Sequence, residues 1–570
     1  MTTAESRPAK SPEATEPPEP PERVEPAEPT GAAEPAEPTE PAPDLAPEPA
    51  PDLVARAAKV VTPELVRRLV GGVPGSGSTA CHSPLTGGGR LAELPEATPE
   101  EVAAAFERAR AAQHAWAARP ARRRAAVLLR FHDLLLRRQD EVLDLIQLET
   151  GKARLPAHEE VQTVAVAARH YGRKAPAYLR PRRRTGAFPV LTRVRELRQP
   201  RGVVGHISPW NYPLELSVGD ALPAFAAGNA VVMKPDTETA LTTLWARRLL
   251  IEAGLPEDVW QVVLGEGPVL GPELIRHADY VTFTGSTRTG REVARAAAGR
   301  LIGATLELGG KNAMLVLDDA DLDKAAAGAV RACFASAGQL CVSIERIYVH
   351  EAVAEEFQRR FAERTAALRV GPALDYGTDM GPLASRAQLA RVTRHVADAV
   401  AGGATLVAGG HPRPDLGPYF HEPTILADVH PSMLVCAEET FGPVVSLASV
   451  GSDDEAVERA NATAFGLSAS VWSRDARRAR RVAARLRAGA VNINEGYAAA
   501  YGSAQAPLGG MGDSGLGRRH GAEGILKYTE SQTIAHQRLL PIAPSLGMDD
   551  RRYAAVISAA LRAMKILRLR

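Results

Sequence analysis

The sequence predicts an α/β fold with a doubly wound parallel sheet, and two observations predict it. Between residues 202 and 300 short apolar runs alternate with amphipathic helical patterns. A second stretch of the same alternation continues to about Tyr501. A chain of 570 residues with 24% charged side chains is long enough to bury several cores.

Residues 1 to about 52 are almost wholly Pro, Glu, Ala, Thr and Asp, and Glu-Pro-Ala-Glu-Pro-Thr recurs near 25–30 and 34–39. A segment with nothing apolar to bury cannot offset its ordering entropy, so it is expected to be a disordered, solubilising tail with some polyproline II character. A docking tail is the alternative. Thr98-Pro99-Glu100-Glu101 is an N-terminal capping pattern ahead of a helix over 102–118. Helical spacing continues over 121–138, with Val127, Leu128, Phe131, Leu134 and Leu135 on one face, then over 141–150 and 159–171. A basic run, Arg180 to Gly186, precedes 190–199 and reads as a solvated or interface face.

Strands are then predicted at 202–207, 230–233, 260–264 and 280–283, with helices at 221–227, 239–253, 268–277 and 290–300 between and after them. The second stretch holds a strand at 313–317, helices at 321–335 and 351–368, and a β-rich run at 344–349. A last strand is expected at 526–535. Residues 550–570 carry Val556, Ile557, Ala560, Leu561, Met564 and Leu567 on one helical face and Arg and Lys on the other, which suits packing on the protein itself or a partner subunit better than a membrane.

Composition excludes several classes. A net charge of +1 gives no reason to expect nucleic acid. Cys81, Cys333, Cys341 and Cys436 form no CxxC pair, so neither a metal site nor a disulfide scaffold is expected. No apolar run reaches the roughly 18 residues of a membrane span, and the N-terminus has no signal-peptide core. The expectation is a cytoplasmic protein with reduced thiols.

Chemistry concentrates in three segments. Phe334-Ala335-Ser336-Ala337-Gly338-Gln339-Leu340-Cys341-Val342 puts a thiol after a small turn and before a β run. Backbone N–H groups there favour a thiolate and can hold the oxyanion its attack creates. Leu306-Glu307-Leu308-Gly309-Gly310-Lys311-Asn312 lies upstream, and Ser208-Pro209-Trp210-Asn211-Tyr212-Pro213 earlier still. Together they resemble the aldehyde dehydrogenase superfamily, over about residues 55 to 540.

The resemblance implies aldehyde oxidation through a cysteine thiohemiacetal and thioester. Cys341 is then the nucleophile, Glu307 the base for thioester hydrolysis, and the Asn211 amide an oxyanion donor beside the Cys341 N–H. Cys333 reads as core packing. Trp210 and its flanking prolines fix the Asn211 loop. Thr284-Gly285-Ser286-Thr287-Arg288-Thr289-Gly290 joins a strand to a helix N-terminus, so Gly285 and Ser286 suit a pyrophosphate. Lys234-Pro235-Asp236-Thr237 follows a strand, and the family uses this lysine at the adenosine ribose. Thr237 stands where NAD-specific relatives tend to carry Glu, which favours NADP while leaving NAD possible; Glu238 sits one residue on. Glu439 and Phe441 resemble the nicotinamide-ribose clamp, and Leu308 also lies at the expected cofactor site. Residues 507–515 match a Gly-rich segment near the substrate mouth. No metal is expected.

The implied architecture is a Rossmann-type cofactor domain (53–181 and 200–308), an α/β catalytic domain (309–505) and a small β oligomerisation arm (182–199 and 526–538). A C-terminal amphipathic tail (539–570) completes it, and a homodimer or homotetramer is implied. The arm's last strand is expected to pair with the partner's hairpin. Whole-chain resemblance is closest to actinobacterial NADP-dependent succinate-semialdehyde dehydrogenases. Two departures stand out. Gly219 and Ala335 replace the arginines that hold the succinate semialdehyde carboxylate in better-understood relatives, leaving Arg346, His206, Tyr497, Tyr501 and Ser503 as candidates. Arg519 stands where many relatives carry a proton-relaying Glu, so thioester hydrolysis falls to Glu307 and bulk water. Broad specificity for medium-chain or aromatic aldehydes is the rival reading. A non-catalytic protein on this fold is disfavoured by the retention of Cys341, Glu307 and Asn211.

Overall fold

A computed structural model describes residues 51–186, 188 and 191–568. Nearly all of the expected N-terminal tail lies outside the described residues. Its boundary moves slightly: a helix already starts at Pro51 and runs to Val60.

Four helices, Pro99–Ala118, Ala121–Arg137, Gln139–Thr150 and Arg154–Tyr178, form the predicted helical block. The first begins with a full capping box, the Thr98 side chain accepting from the Glu101 N–H and the Glu101 carboxylate from the Thr98 N–H. The fourth is longer than periodicity suggested and carries Pro176 within its last turn. An antiparallel hairpin, Gly77–Ser83 with Gly89–Glu96, was not anticipated; its polar, partly exposed strands lack an apolar alternation.

The first sheet has six strands, ordered Gly515–Leu516, Gly303–Glu307, Tyr280–Thr284, Val203–Ile207, Ala230–Lys234, Trp260–Val262. All neighbours are parallel except Gly515–Leu516. The chain starts at Val203–Ile207, fills one side, then crosses to the other. The crevice beyond the carboxyl ends on either side of that strand is where such sheets hold ligands. The second sheet has seven strands, ordered Thr405–Ala408, Thr424–Ala427, Val444–Val450, Ile344–His350, Asn312–Val316, Ser468–Trp472, Ala490–Ile493, with only the first antiparallel.

A three-stranded antiparallel sheet joins Thr529–Gln537, Thr192–Pro200 and Arg182–Thr185. This corrects the arm in two respects. Leu526 ends a short helix, Gly521–Leu526, and the strand starts at Thr529. That strand pairs with the hairpin of its own chain, Thr529 opposite Pro200 through Gln537 opposite Thr192, because both are anchored at the same end of the first sheet. The final helix, Asp550–Ile566, has no fully buried residue: Ile557, Ala560 and Met564 of its apolar face are half-buried, while Val556, Leu561 and Leu567 are exposed. Among the described residues no helix is long and apolar enough to cross a membrane.

Candidate active site

Four loops leave the carboxyl edge of the first sheet, and each carries a singled-out residue. Asn211 follows Val203–Ile207, Lys234 ends its strand, Ser286 follows Tyr280–Thr284, and Glu307 ends Gly303–Glu307. Cys341 and Glu439 lie on the opposite side, just before the amino ends of Ile344–His350 and Val444–Val450. A cleft of about 430 Å³ separates the two edges, and Trp210, Asn211, Gly285, Ser286, Glu307, Leu308, Cys341, Glu439 and Phe441 all line it.

The cysteine loop is held in an unusual shape. Ser336, Ala337 and Gly338 have φ of 52°, 54° and 70° in succession. Left-handed backbone at two non-glycine residues is strained and needs outside support. Gly338 is obligatory, since a Cβ there would lie 2.1 Å from the Gly442 carbonyl oxygen. The Tyr212 hydroxyl bonds Ser336 Oγ at 3.0 Å, and Asn211 Nδ2 donates to the Gln339 carbonyl at 3.0 Å. Asn312 Nδ2 donates to the carbonyls of Cys341 (2.7 Å) and Ser343 (2.8 Å). Among the described residues the Cys341 N–H has no acceptor, and the Asn211 amide keeps a second hydrogen.

Glu307 is buried and its Oε1 has no hydrogen-bond partner. Burial pushes its carboxyl up to about 8, against the pull of Arg519. Burial and the nearby Glu307 and Glu439 carboxylates push the Cys341 thiol up to about 12. Gly309 and Gly310 are explained by contact. A Cβ on Gly309 would sit 2.3 Å from Glu439 Oε2, one on Gly310 3.0 Å from the Cys341 carbonyl, and Glu439 Oε1 accepts from the Gly310 N–H at 2.8 Å. Burial pushes Glu439 up to about 7. Phe441 packs edge-on to Trp210 with ring centroids 5.7 Å apart.

The aldehyde dehydrogenase family profile matches residues 73–534. The chain belongs to the aldehyde dehydrogenase family. It is 51% identical over 480 residues to a Mycolicibacterium smegmatis protein provisionally named succinate-semialdehyde dehydrogenase [NADP(+)], covering 84% of this chain and 93% of that one. A Mycobacterium tuberculosis protein provisionally named succinate-semialdehyde dehydrogenase [NADP(+)] 2 is 51% identical over 80% of this chain and 88% of its own. Among solved structures, Staphylococcus aureus betaine aldehyde dehydrogenase in complex with NAD+ superposes with a TM-score of 0.80 at 30% identity, over 87% of this chain and 99% of that one. An E. coli NADP-dependent enzyme gives 0.78 at 35% identity, over 81% and 95%.

For an aldehyde dehydrogenase the cofactor residues must fit a dinucleotide, and several groups here do. The Ser286 hydroxyl caps the Thr287–Gly299 helix, buried Thr284 Oγ1 has no partner, and the buried Lys234 ammonium makes no hydrogen bond among the described residues. The Asp236 side chain caps the turn after Lys234, accepting from the Glu238 N–H, while Thr237 Oγ1 reaches the Gly265 carbonyl at 3.4 Å. Glu238 is committed elsewhere, accepting from the His82 N–H at 2.7 Å.

Two buried ion pairs were missed by sequence reading. Lys152 bonds Glu160 at 2.7 Å and the Asn211 carbonyl at 2.6 Å, while Glu160 Oε2 accepts the N–H groups of Leu214 and Glu215. Lys311 pairs with Glu345, whose carboxylate accepts the Thr440 and Phe441 N–H groups and so aims Glu439 and Phe441. Lys152 and Glu160 are eight positions apart and Lys311 and Glu345 thirty-four, spacings that no local pattern marks as a pair. Lys152→Met leaves Glu160 buried and unpaired. It is expected to cost about 3–5 kcal/mol, read as a lowered urea midpoint. The double replacement Lys152→Met with Glu160→Leu should recover part of that loss but not the Asn211 support.

One carboxylate candidate is corrected. Arg346 is spent on the backbone carbonyls of Lys311, Arg459 and Ala460. Tyr497 and Tyr501 line a separate cavity of about 490 Å³ with Arg169 and Arg331, their hydroxyls donating to Glu159 and Glu215. Ser503 Oγ accepts from the Ala506 N–H, and His206 is buried beside Asp220.

Proposed function

We propose that this aldehyde dehydrogenase oxidises succinate semialdehyde to succinate with NADP, using Cys341, Glu307 and Asn211. The observation that carries the catalytic assignment is that these three side chains, up to 130 positions apart, line one cleft. The relatives at 51% identity support the substrate and cofactor.

The steps use the chain's own groups. Cys341, its proton lost to solvent, bonds the aldehyde carbon through Sγ, and Glu307 stays free to act as the base for the later water. The carbonyl oxygen becomes an oxyanion held by Asn211 Nδ2 and the Cys341 N–H. When bound, the nicotinamide supplies the hydride acceptor that turns the thiohemiacetal into a thioester. Glu307 then takes a proton from the water that attacks the thioester, and the C–S bond breaks to release the acid. Asn211→Ala should lower kcat by about 10²–10³ with little change in KM, measured by steady-state cofactor reduction.

Lys234, Pro235, Asp236 and Thr237 would hold the adenosine ribose, Gly285 and Ser286 the pyrophosphate, and Trp210, Leu308, Glu439 and Phe441 the nicotinamide end. NADP preference is supported by Thr237, a hydroxyl where a carboxylate would repel a 2′-phosphate, and by the hydrogen bond that ties Glu238 to the His82 N–H. The kcat/KM ratio for NADP over NAD should exceed ten, and Lys234→Ala should reduce it. A strong NAD preference ends the cofactor assignment. A panel of aldehydes with NADP tests the substrate: equal kcat/KM for succinate semialdehyde, butyraldehyde and benzaldehyde favours the broad-specificity reading, which the occupied Arg346 also favours. The domain division, with the arm strand starting at Thr529 and the first helix at Pro51, a homodimer or homotetramer, and a cytoplasmic location belong to the same proposal.

A further inference from the structure

A group of buried charges behind Glu307 has no part in the steps above. The side chains of Glu215, Asp220, Arg519 and Lys527 are 1%, 3%, 4% and 8% exposed. Arg519 Nη2 donates to Glu215 Oε1 at 2.7 Å, and its Nε lies 3.1 Å from Asp220 Oδ2. Lys527 donates to Asp220 Oδ1 at 3.2 Å, and the Tyr501 hydroxyl to Glu215 Oε2 at 2.9 Å. Desolvating four charges costs several kcal/mol per ion, and an apolar filling is often at least as stable. Stability alone therefore does not account for the cluster.

Its geometry points at the catalytic pair. The backbone of Arg519 bonds Leu508 in both directions, at 2.6 and 3.0 Å. The next residue, Gly509, lies against the base: a Cβ there would come 3.2 Å from Glu307 Oε1. Further round the same loop Gly515 pairs with Glu307 in the sheet. On the other side Gly219 leaves the room in which the Arg519–Glu215 pair closes, since a Cβ would meet both partners at 3.1 Å. The charges that act on Glu307 through space are Arg519, Asp220, Lys527 and Arg518. Those that act on Cys341 are Glu307, Glu439, Glu215 and Arg519, so Arg519 is the cation common to both. His206 borders Asp220 and stays neutral, burial lowering it to about 4.

We propose that Arg519, clamped between Glu215 and Asp220 behind the Gly509 turn, is a positioning residue whose fixed positive charge lets Glu307 and the Cys341 thiolate carry their negative charges. The inference rests on Cys341 and Glu307 having the roles assigned above. It replaces the expectation that thioester hydrolysis relies on Glu307 and bulk water alone. Burial raises both acidic groups, and Arg519 opposes it at both.

The test is the pH dependence of Cys341 alkylation by iodoacetamide, followed on the peptide containing residue 341, together with the pH profile of thioester hydrolysis. Arg519→Gln should move both profiles about one pH unit alkaline, and Arg519→Lys should restore most of the shift. Glu215→Gln removes an anion instead and should move the alkylation profile toward acid; this arm decides the matter where Arg519→Gln does not fold. Unmoved profiles in folded Arg519→Gln, or in Glu215→Gln, overturn the inference. Alkylation needs no aldehyde, so that result is separable from failure of the assigned function, which would appear as unimpaired aldehyde oxidation by a Cys341→Ala protein.

Discussion

Cys341→Ala protein is expected to reduce cofactor with aldehyde about 10⁴–10⁶ times more slowly than the parent, at unchanged stability to within about 1 kcal/mol. The size follows from what is lost. Without sulfur no tetrahedral carbon forms on the enzyme, so the oxyanion donors and the base have nothing to act on. The loop itself should survive, because its strained residues are held by Tyr212, Asn211, Asn312 and the contact of Gly338 with Gly442, none of which uses the thiol. Rates from stopped-flow absorbance and the unfolding midpoint check both halves. Substantial aldehyde oxidation by the variant would remove the covalent mechanism.

Glu307→Gln should separate the two half-reactions. A Gln side chain still fills the pocket beside Gly509 but cannot accept a proton from water. One equivalent of reduced cofactor per site is expected in a burst, followed by turnover slowed about 10²–10⁴-fold. Intact mass should show the acyl group on the protein. The parent has a matching pH signature. Burial pushes Glu307 up to about 8, so the neutral acid predominates at pH 7 and the carboxylate above pH 8. Thioester hydrolysis should therefore rise with pH and level off above about 8, and the variant should lose that limb. Equal burst and steady-state rates in the variant would assign the base elsewhere.

Several elements of the chain have local physical causes. The alternation of apolar strands and helices between 202 and 300 is a statement about burial on both faces of a parallel sheet, and the six-stranded sheet follows from it. Thr98 and Glu101 lie within hydrogen-bond reach in any helix start, so their capping box was legible. The hairpin at 77–96 was not, because its polar strands are stabilised by neighbours distant in sequence. The arm strand was placed on a partner subunit, yet it pairs with its own hairpin across more than 300 positions, a distance over which sequence periodicity carries no information.

By itself the sequence determined the family, the fold class and which thiol, carboxylate and amide to watch, since each sits in a short segment whose glycines and turns have local causes. Only the tertiary structure decided what those groups face. It showed that Glu238 is tied to His82, that Arg346 is used up on carbonyls, that Gly309 makes room for Glu439, and that Arg519 meets Glu215 and Asp220 some 300 residues away. Charges act through space and through the loss of water around them. Their effect on a buried thiol or carboxyl therefore depends on which distant segments the fold brings together.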